Sequence, residues 1–203
     1  MSRSNHKQQT TNNKQQTTNN KQQTTNNNYY LKAAINWLLL LLEQKAQTGE
    51  TTAAELAAAE DMLLTAERSE PAPALIRLRQ QLRLSQFEAN LLLLCVAMEL
   101  NPNIPQLYAI IQGGERNYPT FYLAFLLFKD PSWDIVSPER PLRYWQLIEI
   151  LQSGVEPLMN SPLRADEKIV NYIKGLNYLD DRLAKLVLPW RAMGYGDTQY
   201  NNL

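Results

Sequence analysis

The chain holds one cysteine, Cys95, and one histidine, His6, in 203 residues. That excludes a disulfide framework and nearly every structural zinc site, both of which need several sulfur or imidazole groups. Histidine-based catalytic triads are excluded with them. Of seven glycines, none is followed by lysine, so no G-x-x-x-x-G-K-[ST] loop is present to cradle phosphates. Gly194-Tyr195-Gly196 is too short, and too close to the C-terminus, for a dinucleotide fingerprint. Long apolar runs are missing as well. The longest, Leu91–Met98 and Phe121–Phe128, have eight residues each, against about 20 for a membrane-spanning helix. The basic residues near the N-terminus have no apolar stretch behind them, so no secretory signal is read there. The expected location is the cytoplasm, with no membrane partner.

What is present is unevenly charged. Lys and Arg number 20, as do Asp and Glu. Residues 1–28 hold Arg3, Lys7, Lys14 and Lys21 and no acid, a net +4, which leaves 16 basic against 20 acidic residues, a net −4, on the remainder. A −4 body lacks the electrostatic footprint of a dedicated nucleic-acid binder. Residues 7–27 are three perfect copies of KQQTTNN. No position of this heptad is apolar, so a coiled coil is excluded. With nothing to bury against chain entropy, residues 1–28 are expected to be a disordered tail, its identical copies the product of tandem duplication. A self-associating Gln/Asn tract or a weak basic tether is the functional alternative.

Beyond the tail the pattern is helical. Leu31, Ala34, Ile35, Leu38, Leu39 and Leu42 mark one face of a helix over about 29–47. Thr52-Ala-Ala-Glu55 reads as a capping box opening an alanine-rich, loosely packed helix to about residue 67. Pro71 and Pro73 form a stiff connector. Leu75, Leu78 and Leu82 predict a short helix. Ser85-Gln-Phe-Glu88 is a second capping box, opening a helix to Leu100 that is apolar all round over Leu91–Met98 and therefore central, with Leu93, Val96 and Leu100 facing the core. Cys95 within it reads as a core residue rather than a reactive thiol. Further helices are expected over 104–112 and 120–128, where Phe121, Phe125 and Phe128 form a core stripe. Ser137-Pro-Glu139 reads as another helix start. Leu142–Leu151 fits helix and strand periods about equally; Trp145–Leu151 and Leu158–Arg164 are read as a two-stranded wing. Asp166 caps a helix ending at Gly175, and a last helix covers about Leu179–Leu188, before frayed residues 191–203.

Catalytic chemistry finds little footing. The paired acids Asp166-Glu167 and Asp180-Asp181 each sit at an expected helix start, where carboxylates favour the dipole. Arg77, Arg79 and Arg83 read as a solvated helix face. No catalytic, cofactor-binding or metal-ligating residue is assigned, no cofactor is expected, and the residues contacting a partner are unknown at this stage.

Three runs carry a resemblance: FEANLLLLCVAMELNP (87–102), SPERPLRYWQLIE (137–149) and SPLRADEKIVNYIKG (161–175). Together they resemble the N-terminal region of a family of bacterial, notably cyanobacterial, AAA-type ATPases, relatives of which accompany contractile injection systems. The resemblance implies a winged-helix-like domain, and in that family an ATPase module with Walker motifs follows. Here Leu203 comes before any such module, so no ATP-binding residue carries over and no enzyme is expected.

The expected fold is mainly α with a small β-hairpin, a winged-helix-like helical domain with extra N-terminal helices. Its expected division is a disordered tail at 1–28, a helical hairpin at 29–70, the winged-helix-like domain at 71–190 and a frayed end at 191–203. The function implied is a non-catalytic N-terminal adaptor acting by protein–protein contact, its partner an ATPase module or that module's substrate. The alternatives are a winged-helix DNA-binding module, disfavoured by charge, and a non-functional split-gene remnant.

Overall fold

A computed structural model describes the chain from residue 2 to residue 176, with side chains from residue 21. The expected helix at 179–188, the acids Asp180-Asp181, Gly194-Tyr195-Gly196 and the end at 191–203 lie outside the described residues. Helix α1 runs Ser2–Ala46, α2 Ala53–Glu67, α3 Ala74–Leu82, α4 Gln86–Leu100, α5 Ile104–Ile111, α6 Phe121–Leu127, α7 Pro141–Tyr144 and α8 Glu167–Lys174. Strands β1 (Ile148–Ile150) and β2 (Leu163–Ala165) and two 3-10 turns complete the elements of the described residues. The expected mainly helical fold with a small hairpin is the one observed.

Helix α4 is the centre. Leu91, Leu92, Leu94, Val96 and Ala97 are completely buried, and Leu93 and Cys95 nearly so. Burial pushes the Cys95 thiol far above its usual range, so it is a core side chain. Leu100, expected to face the core, is only half-buried at the helix end. Tyr108 of α5 lies under α4 and donates its hydroxyl to the Leu94 carbonyl at 2.7 Å. Both capping boxes form as read: Thr52 with Glu55, and Ser85 with Glu88. Helix α2 folds back along α1 and buries only Ala59, Leu63 and Ala66.

The N-terminus corrects an expectation. Residues 1–28 were expected to be disordered, with the first helix starting near residue 29; α1 instead begins at Ser2 and carries the repeat. Once a helix is nucleated, extending it costs far less than starting it. The third copy also has tertiary partners that no apolar pattern reveals. Gln23 Nε2 donates to the Ala72 carbonyl at 3.1 Å and Asn26 Nδ2 to the Pro71 carbonyl at 3.0 Å. Asn27 serves two helix ends with one amide. Its Oδ1 accepts the Ala74 N–H at 2.9 Å, where Pro73 provides no side-chain cap for α3. Its Nδ2 donates at 2.8 Å to the Ile173 carbonyl in the last turn of α8. Both are groups that a helix leaves without an internal partner.

The chain between α6 and the hairpin also differs from expectation. Ser137 closes a 3-10 turn over Trp133–Val136 rather than opening a helix, and its hydroxyl accepts the Glu139 N–H. The helix start falls on the next proline, with Pro141 opening the single turn of α7. The strands are shorter than read. They pair antiparallel as Ile148 with Ala165, Glu149 with Arg164 and Ile150 with Leu163, while Leu158–Asn160 forms a 3-10 turn. The outer edge of β2 is used too: the Leu163 N–H donates to the Pro119 carbonyl at 2.8 Å.

Three changes test this packing. A chain beginning at Lys21 should give the melt of the full chain, whereas Asn27→Ala strands a buried donor and a buried acceptor and should cost about 1–3 kcal/mol in urea denaturation. An unchanged midpoint for Asn27→Ala would show that the polar clamp holds nothing. Leu93→Ala should cost about 2–5 kcal/mol by the same measurement, and a smaller loss would make α4 peripheral.

Candidate interaction surface

A helix as apolar as α4 can hold a charge only if that charge is compensated. Glu88, in its first turn, is fully buried. One carboxylate oxygen, Oε2, accepts the Ser85 N–H at 2.8 Å as part of the cap. Arg140 then clasps both oxygens, with Nη2 2.9 Å from Oε2 and Nε 3.2 Å from Oε1. Its third nitrogen, Nη1, lies 3.4 Å from Asp134 Oδ2. Arg143, one turn on, donates to the Val136 carbonyl. Both arginines ahead of the hairpin are therefore turned inward. A pocket of about 210 Å³ opens beside this clasp, between Phe87, Lys129, Asp134, Ile135 and Arg140. Among the described residues no three His, Cys, Asp or Glu gather to hold a metal ion.

Large aromatic and aliphatic side chains face outward here, among exposed charges such as Asp134 and Glu139. Trp133 is 65% exposed and rests edge-on against Phe125 at 6.0 Å. Tyr144 is equally exposed, braced edge-on by Trp145 at 5.0 Å. Beyond β1, Leu151 is half exposed and Val155 fully so. The loop carrying them is pinned: Arg116 sits 3.3 Å from Glu156, and Gln152 donates to the Glu156 carbonyl. No Lys or Arg occurs between Arg143 and Arg164.

The two helices that could have read a DNA groove are poorly equipped. Helix α6 contains no Lys, Arg, Asn or Gln; Phe121 and Leu123 are buried and Tyr122 is its exposed ring. Helix α8 exposes Glu167, Lys168 and Lys174. Asp166 accepts the N–H groups of Lys168 and Ile169 as the cap of α8. The arginine cluster is not the uniform solvated face expected. Arg83 is exposed, but Arg77 is half-buried, its guanidinium carbon 5.7 Å from the centre of the Tyr172 ring. Desolvation holds the Tyr172 phenol above its usual range, Arg77 opposing it. The phenylalanine stripe of α6 is core as read at Phe121 and Phe128, whereas Phe125 is half-buried beneath Trp133. Trp133, Tyr144, Leu151 and Val155 were not singled out from the sequence. The Glu88–Arg140 pair had one signal: a lone acid opening an all-apolar helix needs a cation.

A family model described as a winged helix domain, variant, matches residues 1–187. No curated protein and no solved structure matches the chain.

Arg140→Ala leaves the Glu88 carboxylate buried without its cation and should destabilise the fold by about 3 kcal/mol. Arg140→Lys keeps the charge but loses the two-pronged geometry and should recover only part of that. Equal stability of Arg140→Ala and the unchanged chain in urea would refute the clasp.

Proposed function

The chain belongs to the winged helix domain family, whose members are DNA-binding or protein-interaction modules, and on that premise we propose that this one is a non-catalytic adaptor acting by protein–protein contact. One observation carries the reading. The hairpin and the turn before it present Trp133, Tyr144, Leu151 and Val155 to solvent, while the nearby Arg140 and Arg143 are bonded inward. Exposed, braced aromatic rings are the usual anchors of protein interfaces. Direct DNA reading needs Arg, Lys, Asn or Gln along a helix set in the major groove. Helix α7, which leads into the hairpin, has four residues, about 6 Å of axis.

The partner we propose is an AAA-type ATPase module or the protein that such a module handles, in the cytoplasm. The support for this is the resemblance of residues 87–102, 137–149 and 161–175 to the N-terminal region of such ATPases. No helix among the described residues is long and apolar enough to cross a membrane. A DNA-binding reading keeps one supporting feature, the +4 charge of residues 1–28.

Two measurements separate the readings. In a gel shift at physiological salt, the full chain should bind duplex DNA weakly and without sequence preference. That binding should vanish when Arg3, Lys7, Lys14 and Lys21 are all changed to Gln, because phosphate contacts carry it. Binding to a purified AAA-type ATPase module should survive those four changes. It should weaken on the order of tenfold or more in Trp133→Ala or Val155→Asp, with the thermal melt unchanged. Sub-micromolar, sequence-dependent DNA binding by the Lys/Arg→Gln chain would overturn the adaptor reading.

A further inference from the structure

The third copy of the repeat, residues 21–27, already has an occupant within the chain. Gln23 and Asn26 donate to the carbonyls of Ala72 and Pro71, and Asn27 accepts from Ala74 N–H. What they hold is the backbone of a short stretch around two prolines. Proline has no N–H, so this stretch forms no regular ladder; the Pro73 carbonyl accepts the Arg77 N–H of α3, and the carbonyls of Pro71 and Ala72 take their donors from α1 side chains. A carboxamide supplies two donors and an acceptor, and the heptad places three carboxamides, at its third, sixth and seventh positions, within little more than one helical turn. The two earlier copies, 7–13 and 14–20, have the same sequence at every position and lie in the same uninterrupted helix. Seven residues return a helix to the same side within about 20°, about 10 Å further along its axis. The chain's own connector is already held by the third copy.

We propose that residues 7–20 are a docking tract for an extended, proline-containing segment of a partner protein, held as the third copy holds Pro71–Ala74. The tract continues an interface that the chain itself displays. Its charge suits the same kind of segment: Lys7 and Lys14 have no acid beside them, and in the connector Glu70 stands directly before Pro71. The tract is on a different element from the hairpin surface and does not rest on the adaptor reading.

The test is a fluorescence-anisotropy titration of a labelled peptide, Ser-Glu-Pro-Ala-Pro-Ala-Leu, which copies residues 69–75. It is titrated with the full chain, with a chain lacking residues 7–20, and with a full chain carrying Asn12→Ala, Asn13→Ala, Asn19→Ala and Asn20→Ala. The deletion keeps the third copy against the body, and its melt confirms that the fold is intact. Saturable binding by the full chain is expected, and its loss in both altered chains, because the one copy left unaltered, residues 21–27, is already occupied by the chain's own connector. A peptide with both prolines changed to alanine should likewise fail to bind. Equal affinity with and without residues 7–20 would overturn the proposal, as would absence of saturation at millimolar concentration. Binding that survives the Asn→Ala changes and disappears only with salt would overturn it too, by reducing the tract to a basic tether. None of these failures would touch the hairpin surface, whose partner binding is read by Trp133→Ala.

Discussion

The carboxylate of Glu88 constrains everything downstream of it. It lies at the start of the most buried helix, fully out of water, where an uncompensated charge would cost several kcal/mol. The compensating guanidinium comes from Arg140, 52 residues later. Bringing it there draws the chain after α6 across the start of α4, seats Ile135 and Leu142 in the core, and delivers α7 to the base of the hairpin. The same clasp decides what the surface can offer. With Arg140 committed to Glu88 and Asp134 and Arg143 to a backbone carbonyl, the turn ahead of the hairpin shows solvent its rings instead of its cations.

Much of this was legible where the signal is local. The capping boxes at Thr52 and Ser85, the all-apolar run of α4, the Asp166 cap and the Gly175 terminator are short-range chemistry, and each appears where the pattern put it. The hairpin was legible as a hairpin but not in extent. Leu142–Leu151 satisfies two periods, and the choice is made by contacts from afar, including Pro119 against β2. Ser137-Pro138 and Arg140-Pro141 are similar helix-start signals three residues apart; the arginine's need to reach Glu88 is a tertiary matter that decides between them. The repeat was least legible. Its stability at the body comes from amides meeting the backbone of residues 71–74 and 173, and a search for apolar periodicity is blind to that. For the candidate surface, exposure of Trp133 and Tyr144 could not be told from burial, because an aromatic residue beside prolines and polar residues suits either.

The family match admits DNA binding and protein interaction alike; the geometry describes the surface on offer. The one-turn helix α7 leads into the hairpin, whose connecting residues 151–162 hold no Lys or Arg, while Arg164 on β2 stands opposite Glu149. What remains is a surface on which braced rings stand among exposed charges such as Asp134, Glu139 and Glu149. Such a surface gains affinity from buried ring area and loses little entropy on binding, because Phe125 and Trp145 already restrain the rings it uses.

The Asn27 amide, which caps two helices at once, has a consequence for how the gene can vary. The copy that docks is defined only by standing next to Asn28 and Tyr30, and the copy before it is identical. If replication slippage removes residues 21–27, residues 14–20 move into their place in the same helical phase, and the two caps are restored with the same atoms. The tract is thus its own store of spare parts. Loss or gain of a whole unit therefore leaves the clamp on α3 and α8 unchanged and alters only the number of copies beyond it.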